Sequence, residues 1–158
     1  MSGQPPAAGA TLEVAVSVVV QAPVARVFAG LAAFERQGEW IPFTTVRIIS
    51  GDGGEGSRIE AVTAVGPATL RDRMRVTRID PPYEIRVVHE GRILRGPGVF
   101  RCTPLGEERT QVVWHEWFQL PGGPVGRLAG PLLWPGSKAG LGHALRRFAR
   151  LVEEGRLP

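Results

Sequence analysis

ATLRDRMRVTRIDPPYEIRVVHE, residues 68 to 90, decides the fold class. Leu70, Met74 and Val76 share one face with Asp72, while Arg71, Arg73 and Arg75 share the other. That two-residue period is the signature of a half-buried strand. Asp80-Pro81-Pro82 is turn chemistry, and beyond it Tyr83, Ile85 and Val87 share a face with His89. Two strands joined by so short a link pair antiparallel.

Working outward, the same punctuation recurs. Strands are predicted near residues 44–50, 57–65, 68–79, 83–90, 92–103 and 109–119. The separators are Gly51 to Gly56, Gly66-Pro67, Asp80 to Pro82, Glu90-Gly91 and Pro104 to Gly106. At the start, Leu12, Val14, Val16, Val18 and Val20 line one face of a further strand rich in β-branched residues. Pro23 then opens a short helix over residues 23–32, with Val24, Val27, Phe28 and Leu31 at helical spacing. A second short helical turn is predicted over Phe34 to Glu39, ended by Trp40 and Pro42.

The tail is helical. Leu141, Leu145, Phe148 and Val152 form one stripe, and Ser137 is the predicted N-cap of a helix running to Glu154. A single sheet with one apolar face must cover it, and only this helix is long enough. The fold class expected is therefore α+β: a curved seven-stranded antiparallel sheet wrapped around a long C-terminal helix, with two short helices between strands one and two. Residues 1–11 are expected to form a disordered arm, residues 12–154 the domain and residues 155–158 a tail.

The chain has 158 residues, which fits one domain. Its only cysteine excludes an internal disulfide and a cysteine-rich zinc site, and suits a reducing cytoplasm. The formal net charge is +4 and the isoelectric point about 10.5. Nearly all the basic residues are arginines spread along the chain, Lys138 is the only lysine, and asparagine is missing. That pattern reads as codon bias, so no specific nucleic-acid partner is expected. No signal peptide is visible in the first residues. Leu12 to Phe34 is interrupted by Glu13, Gln21, Pro23 and Arg26, so no transmembrane segment is expected.

Four stretches in order resemble the START-like superfamily, also called SRPBCC, of polyketide cyclases, dehydrases and lipid-transport proteins. They are VVVQAPVARVFAGLAAFERQGEWIP, GDGGEGSRIE, VTRIDPPYEIRV, and ERTQVVWHEW with the amphipathic tail. The resemblance spans roughly residues 12 to 154 and implies a helix-grip fold with an apolar cavity between sheet and helix. It implies a lipid, polyketide, isoprenoid or similar ligand, and no universal catalytic motif.

Individual motifs add little chemistry. Gly51, Gly53 and Gly56 satisfy G-x-G-x-x-G, but a strand follows where a dinucleotide site needs a helix. His89, His115 and His143 have no metal-ligand spacing, and no nucleophile elbow occurs. No metal and no cofactor are expected.

The hairpin offers a sharper idea. If it closes at Asp80-Pro81-Pro82, residues whose numbers sum to about 161 face each other, ~5 Å apart at Cβ. His89 then lies across from Asp72, on the face taken as inward. Such a pair could orient a ligand or serve as acid and base. Its position beside the Glu90-Gly91 turn favours a plainer reading, a solvated pair at the end of the sheet. Glu116 shares a face with Val112, Trp114 and Phe118, yet the opposite face, with Val113, His115 and Trp117, is also apolar. Glu116 is therefore a ligand contact, an arginine's partner or a sign that the strand faces the other way.

Arg71, Arg73 and Arg75 read as a solvated outward stripe, with contact to anionic headgroups as the alternative. Trp40, Phe43, Trp117 and Trp134 are expected to cluster at a cavity mouth. The glycine- and proline-rich stretch from Gly122 to Gly140 is expected to act as a lid.

The expected cavity lining is Leu70, Met74, Val87, Phe100, Val112, Trp114, Leu145 and Phe148, with Asp72, His89 and Glu116 as polar points. The function expected is binding of a small hydrophobic ligand. The alternatives are a cyclase or dehydratase using His89 and Asp72, and a module that meets a membrane or a macromolecule through its surface. Peripheral membrane contact is compatible with the sequence, as is either a monomer or a homodimer.

Overall fold

The computed structural model describes residues 12–119 and 137–158. Seven strands form one antiparallel sheet: β1 (Leu12–Val20), β2 (Thr44–Ser50), β3 (Arg58–Val65), β4 (Ala68–Asp80), β5 (Glu84–Glu90), β6 (Arg95–Gly106) and β7 (Arg109–Phe118). Their order across the sheet is β1-β7-β6-β5-β4-β3-β2. Strands β2 to β7 are thus a meander, and β1 closes onto the last of them. Helix α1 (Val24–Ala32) and a 3-10 helix (Phe34–Glu39) connect β1 to β2, and α2 (Lys138–Glu153) follows the sheet. This is the α+β arrangement that the alternation and the tail stripe imply, and the helix-grip fold that the family resemblance implies.

Alternation decides which face is covered. Val14 and Val20 of β1, Val112 and Trp114 of β7, and Ile85 of β5 point into one core with Leu141, Leu145, Phe148 and Val152 of α2. α2 packs against β1, and α1 against β6 and β7. Ser137 caps α2, its hydroxyl accepting from the Gly140 N–H at 3.2 Å. That satisfies one of the amide groups a helix start leaves free. Cys102 of β6 is buried in the same core, and burial pushes its thiol pKa up to about 12.

The structure corrects several boundaries. β6 starts at Arg95 and continues to Gly106, three residues later at each end than alternation alone suggests. Pro104 therefore lies inside a strand rather than in a turn. The β5–β6 ladder ends at Glu84 opposite Arg101, so Pro104 lies past the end of β5, where a strand can do without one N–H. Leu157, placed by the sequence in a trailing segment, is buried, and the Arg156 and Leu157 amides both donate to the Leu151 carbonyl.

The expected aromatic cluster does not form. Trp40 is fully buried in the core and Phe43 is exposed. Trp117 stacks on His115 on the outer face, ring centroids 3.7 Å apart. Trp134 and most of the expected lid lie outside the described residues.

Candidate functional site

The concave side of the sheet is filled at one end and hollow at the other. At the filled end Trp40 is the hub. Its ring centroid lies 5.1 Å from Phe148, 5.7 Å from Trp114 and 6.2 Å from Phe100. Beyond this plug, over β3, β4 and β5, lies a cavity of about 320 Å³.

Eight of the residues expected to line it do so: Leu70, Asp72, Met74, Val87, His89, Phe100, Trp114 and Glu116. Val112, Leu145 and Phe148 do not. They are buried at the filled end, where α2 presses on the sheet and leaves no space. From α2 only Leu141 reaches the cavity wall. Other walls were not anticipated. Ile59, Ala61 and Thr63 of β3 line it, as do Phe34 and Gln37 of the 3-10 helix and Ile93 and Leu94 before β6. The β3 contribution was readable, because those residues alternate with Glu60 and Val62. The 3-10 helix and turn contributions depend on how the chain passes over the sheet, which periodicity does not carry.

The polar points converge. His89 Nδ1 lies 2.8 and 2.9 Å from the two Asp72 carboxylate oxygens, and His89 Nε2 lies 2.9 Å from Glu116 Oε2. The Trp114 indole N–H donates to Glu116 Oε1 at 2.6 Å. The His89 ring also meets Phe118 edge-on at a centroid distance of 5.1 Å. A solvated pair at the sheet end is thereby ruled out, since His89 is 5% exposed and the Asp72 side chain 13%.

The pairing differs from direct opposition. The hairpin closes with Asp80 opposite Glu84, wider than the expected turn, and a bulge between Val76 and Arg78 recovers one position, so His89 faces Met74 and Asp72 is its diagonal neighbour. Diagonal side chains on one face still lie within reach of long side chains. Glu116 faces inward, which settles the orientation of β7.

His89 and Glu116 stand on β5 and β7, with β6 between them. Two strand spacings separate their backbones by roughly 9.6 Å, so the two side chains must lie flat across the middle strand. Gly98 makes that space, while Gly96, at a positive φ, lets the Trp117 carbonyl come close to β6. Gly96 is opposite His89, and Gly98 is opposite both Val87 and Glu116. A methyl group on Gly98 would collide with the Glu116 carboxylate. This glycine pair inside an internal strand is a signal in the sequence that strand reading alone treats as weakness.

Burial by itself would lower the His89 pKa by disfavouring its charged form. The attraction of Glu116 and Asp72, with the hydrogen bonds to both, outweighs it and pushes the value up to about 10. At neutral pH His89 is an imidazolium with both N–H groups already donated. Among the described residues no group of three His, Cys, Asp or Glu side chains is placed to hold a metal ion.

The outer face is also more structured than a solvated stripe. Glu60 of β3 sits under Arg47, Arg71 and Arg73, with contacts of 2.6, 3.4 and 3.1 Å. The Arg47 and Arg73 guanidiniums hold its carboxyl below the usual range. Arg75 pairs with Glu90 at 2.8 Å. Among the described residues, no helix is long and apolar enough to cross a membrane.

This architecture is shared with solved structures. A protein from Thermus thermophilus superposes with a TM-score of 0.73 at 18% identity, over 91% of this chain and 99% of that one. The Zhui aromatase/cyclase of a Streptomyces species gives 0.71 at 22% identity, over 90% and 94%. The Aha1 dimer of Colwellia psychrerythraea gives 0.63 at 15%, over 92% and 99%. At such identities the likeness is one of fold. No curated protein sequence matches the chain. Residues 11–153 match the family model of polyketide cyclase/dehydrase and lipid transport proteins, and the chain belongs to that family.

Proposed function

We propose that this protein encloses a small, mostly apolar ligand in the concave cavity and holds it without transforming it. The carrying observation is the cavity of about 320 Å³ walled by apolar side chains, with one compact polar corner at Asp72, His89 and Glu116. Ligand pockets have that composition: apolar surface for affinity, a few placed polar groups for orientation.

A cyclase or dehydratase is the competing reading, favoured by the same corner. Acid–base work at neutral pH asks for a group that titrates near the working pH. His89, with both nitrogens engaged and its pKa pushed up to about 10, is a poor base and a reluctant acid. The geometry supports orientation of a ligand better than proton transfer to it.

Native mass spectrometry of the purified protein, with extraction and identification of retained molecules, tests the proposal. Uptake of a naphthalene-type probe that changes tryptophan fluorescence through Trp114 is the expected companion result. A protein that retains nothing and takes up no apolar probe would overturn it. Turnover of a polyketide-like substrate that His89→Ala abolishes while binding survives would favour the enzyme.

A further inference from the structure

The polar corner of the cavity has a definite sign. Asp72, His89 and Glu116 are the ionisable side chains of its described lining, which holds no arginine or lysine. The N–H groups of this cluster are spent inside it. Nδ1–H of His89 serves Asp72, while Nε2–H and the Trp114 indole N–H serve Glu116. What the cluster still offers a ligand is acceptor capacity, because an ionised carboxylate has about four lone-pair sites. The nearby arginines do not redress the balance. Arg71 and Arg73 alternate away from Asp72 and engage Glu60 on the opposite face of the sheet. The remaining polar lining, Gln37, Thr44, Thr63 and Thr69, is neutral: Gln37 donates to the Leu31 carbonyl, and the Thr44 and Thr63 hydroxyls bond to each other at 2.8 Å. One cation thus faces two anions, and the wall carries one net negative charge.

Resting on the reading that the cavity binds a ligand, we propose that it selects apolar molecules ending in a hydrogen-bond-donating cation, a protonated amine, seated against Asp72 and Glu116, and rejects carboxylates and phosphates. A net charge facing an apolar cavity is costly while it lacks a partner. An ammonium group supplies both the opposite charge and the N–H donors that the carboxylates lack. A neutral hydroxyl supplies a donor alone. A carboxylate finds no arginine or lysine in the described lining to pair with and meets like charge at the corner. Gly98 belongs to this selectivity, since it leaves the Glu116 carboxylate the space to lie over β6 toward His89.

The test uses three probes with one apolar body: naphthylmethylammonium, naphthol and naphthoate, titrated into the whole protein at neutral pH by calorimetry. The expected order is ammonium tightest, naphthol next and naphthoate weakest. Charge-assisted hydrogen bonds put about tenfold or more between the extremes. Asp72→Asn and Glu116→Gln each remove one negative charge, and in either the gap is expected to shrink to about threefold or less. Naphthoate binding as well as the ammonium in the wild-type protein overturns the inference by itself, with no variant required, and leaves ligand binding standing. So does a gap that persists unchanged in both folded variants. Failure of all three probes to bind removes the cavity reading, and this inference with it.

Discussion

The two ends of the concave face belong to one sheet and behave as opposites. At the filled end Val112, Leu145 and Phe148 are at most 1% exposed, and Trp40 wedges among Phe100, Trp114 and Phe148. At the hollow end Leu70 and Met74 of β4 line the cavity. What differs is the cover. α2 lies along β1, whereas β3 to β5 are faced by the 3-10 helix and the turn at Ile93 and Leu94. Alternation makes an apolar face; only the element opposite decides whether that face becomes core or cavity.

Truncation at each end should break the comparison if it is wrong. Trp40→Ala is expected to cost about 3–5 kcal/mol in urea unfolding, as deletion of a large buried aromatic does. A loss below ~1 kcal/mol would mean that the plug is not what holds the filled end together.

The charged corner gives the next effect. The His89 pKa is raised from 6.5 to about 10 in the folded protein. Its stabilisation is therefore complete below about pH 6.5 and disappears as the pH rises toward 10. The folded protein should lose on the order of a few kcal/mol over that window. Subtracting the same curve for His89→Gln removes the contribution of other groups. A flat difference curve would show that His89 is not held as an imidazolium.

Gly98→Ala should cost about 1–3 kcal/mol, because the added methyl evicts the Glu116 carboxylate. The His89 ring protons should then titrate at lower pH by NMR; an unchanged titration would detach Gly98 from the corner. Leu70→Ala should be the mildest, under ~1 kcal/mol, since it enlarges an existing space instead of opening a new one. If it costs as much as Trp40→Ala, the distinction between filled and hollow ends fails.

The sheet was legible because its period and turns are explicit in the sequence: seven strands, the Asp80 to Pro82 hairpin and the stripe of α2 are all visible as spacing. Asp72 and His89 were legible as same-face residues for the same reason. Their exact relation was not, because the hairpin closes more widely than Asp80-Pro81-Pro82 suggests, with Asp80 paired to Glu84, and the bulge between Val76 and Arg78 makes up only part of the offset. Glu116 was ambiguous because both faces of β7 are apolar. The outer one is occupied by the His115–Trp117 stack, which periodicity cannot tell from a core. Leu145 and Phe148 read as cavity lining from the sequence because a stripe says which face of a helix is buried, not what lies opposite each turn.

Cys102 has a use outside any ligand chemistry. It is the only cysteine in the chain, shielded on β6 with its thiol pKa pushed up to about 12. A thiol reacts as the thiolate and only when reached by reagent, so alkylation should wait for β6 to open. The protein thus carries a built-in clock: the labelling rate of one native atom reports how often the sheet comes apart, with no dye or engineered site.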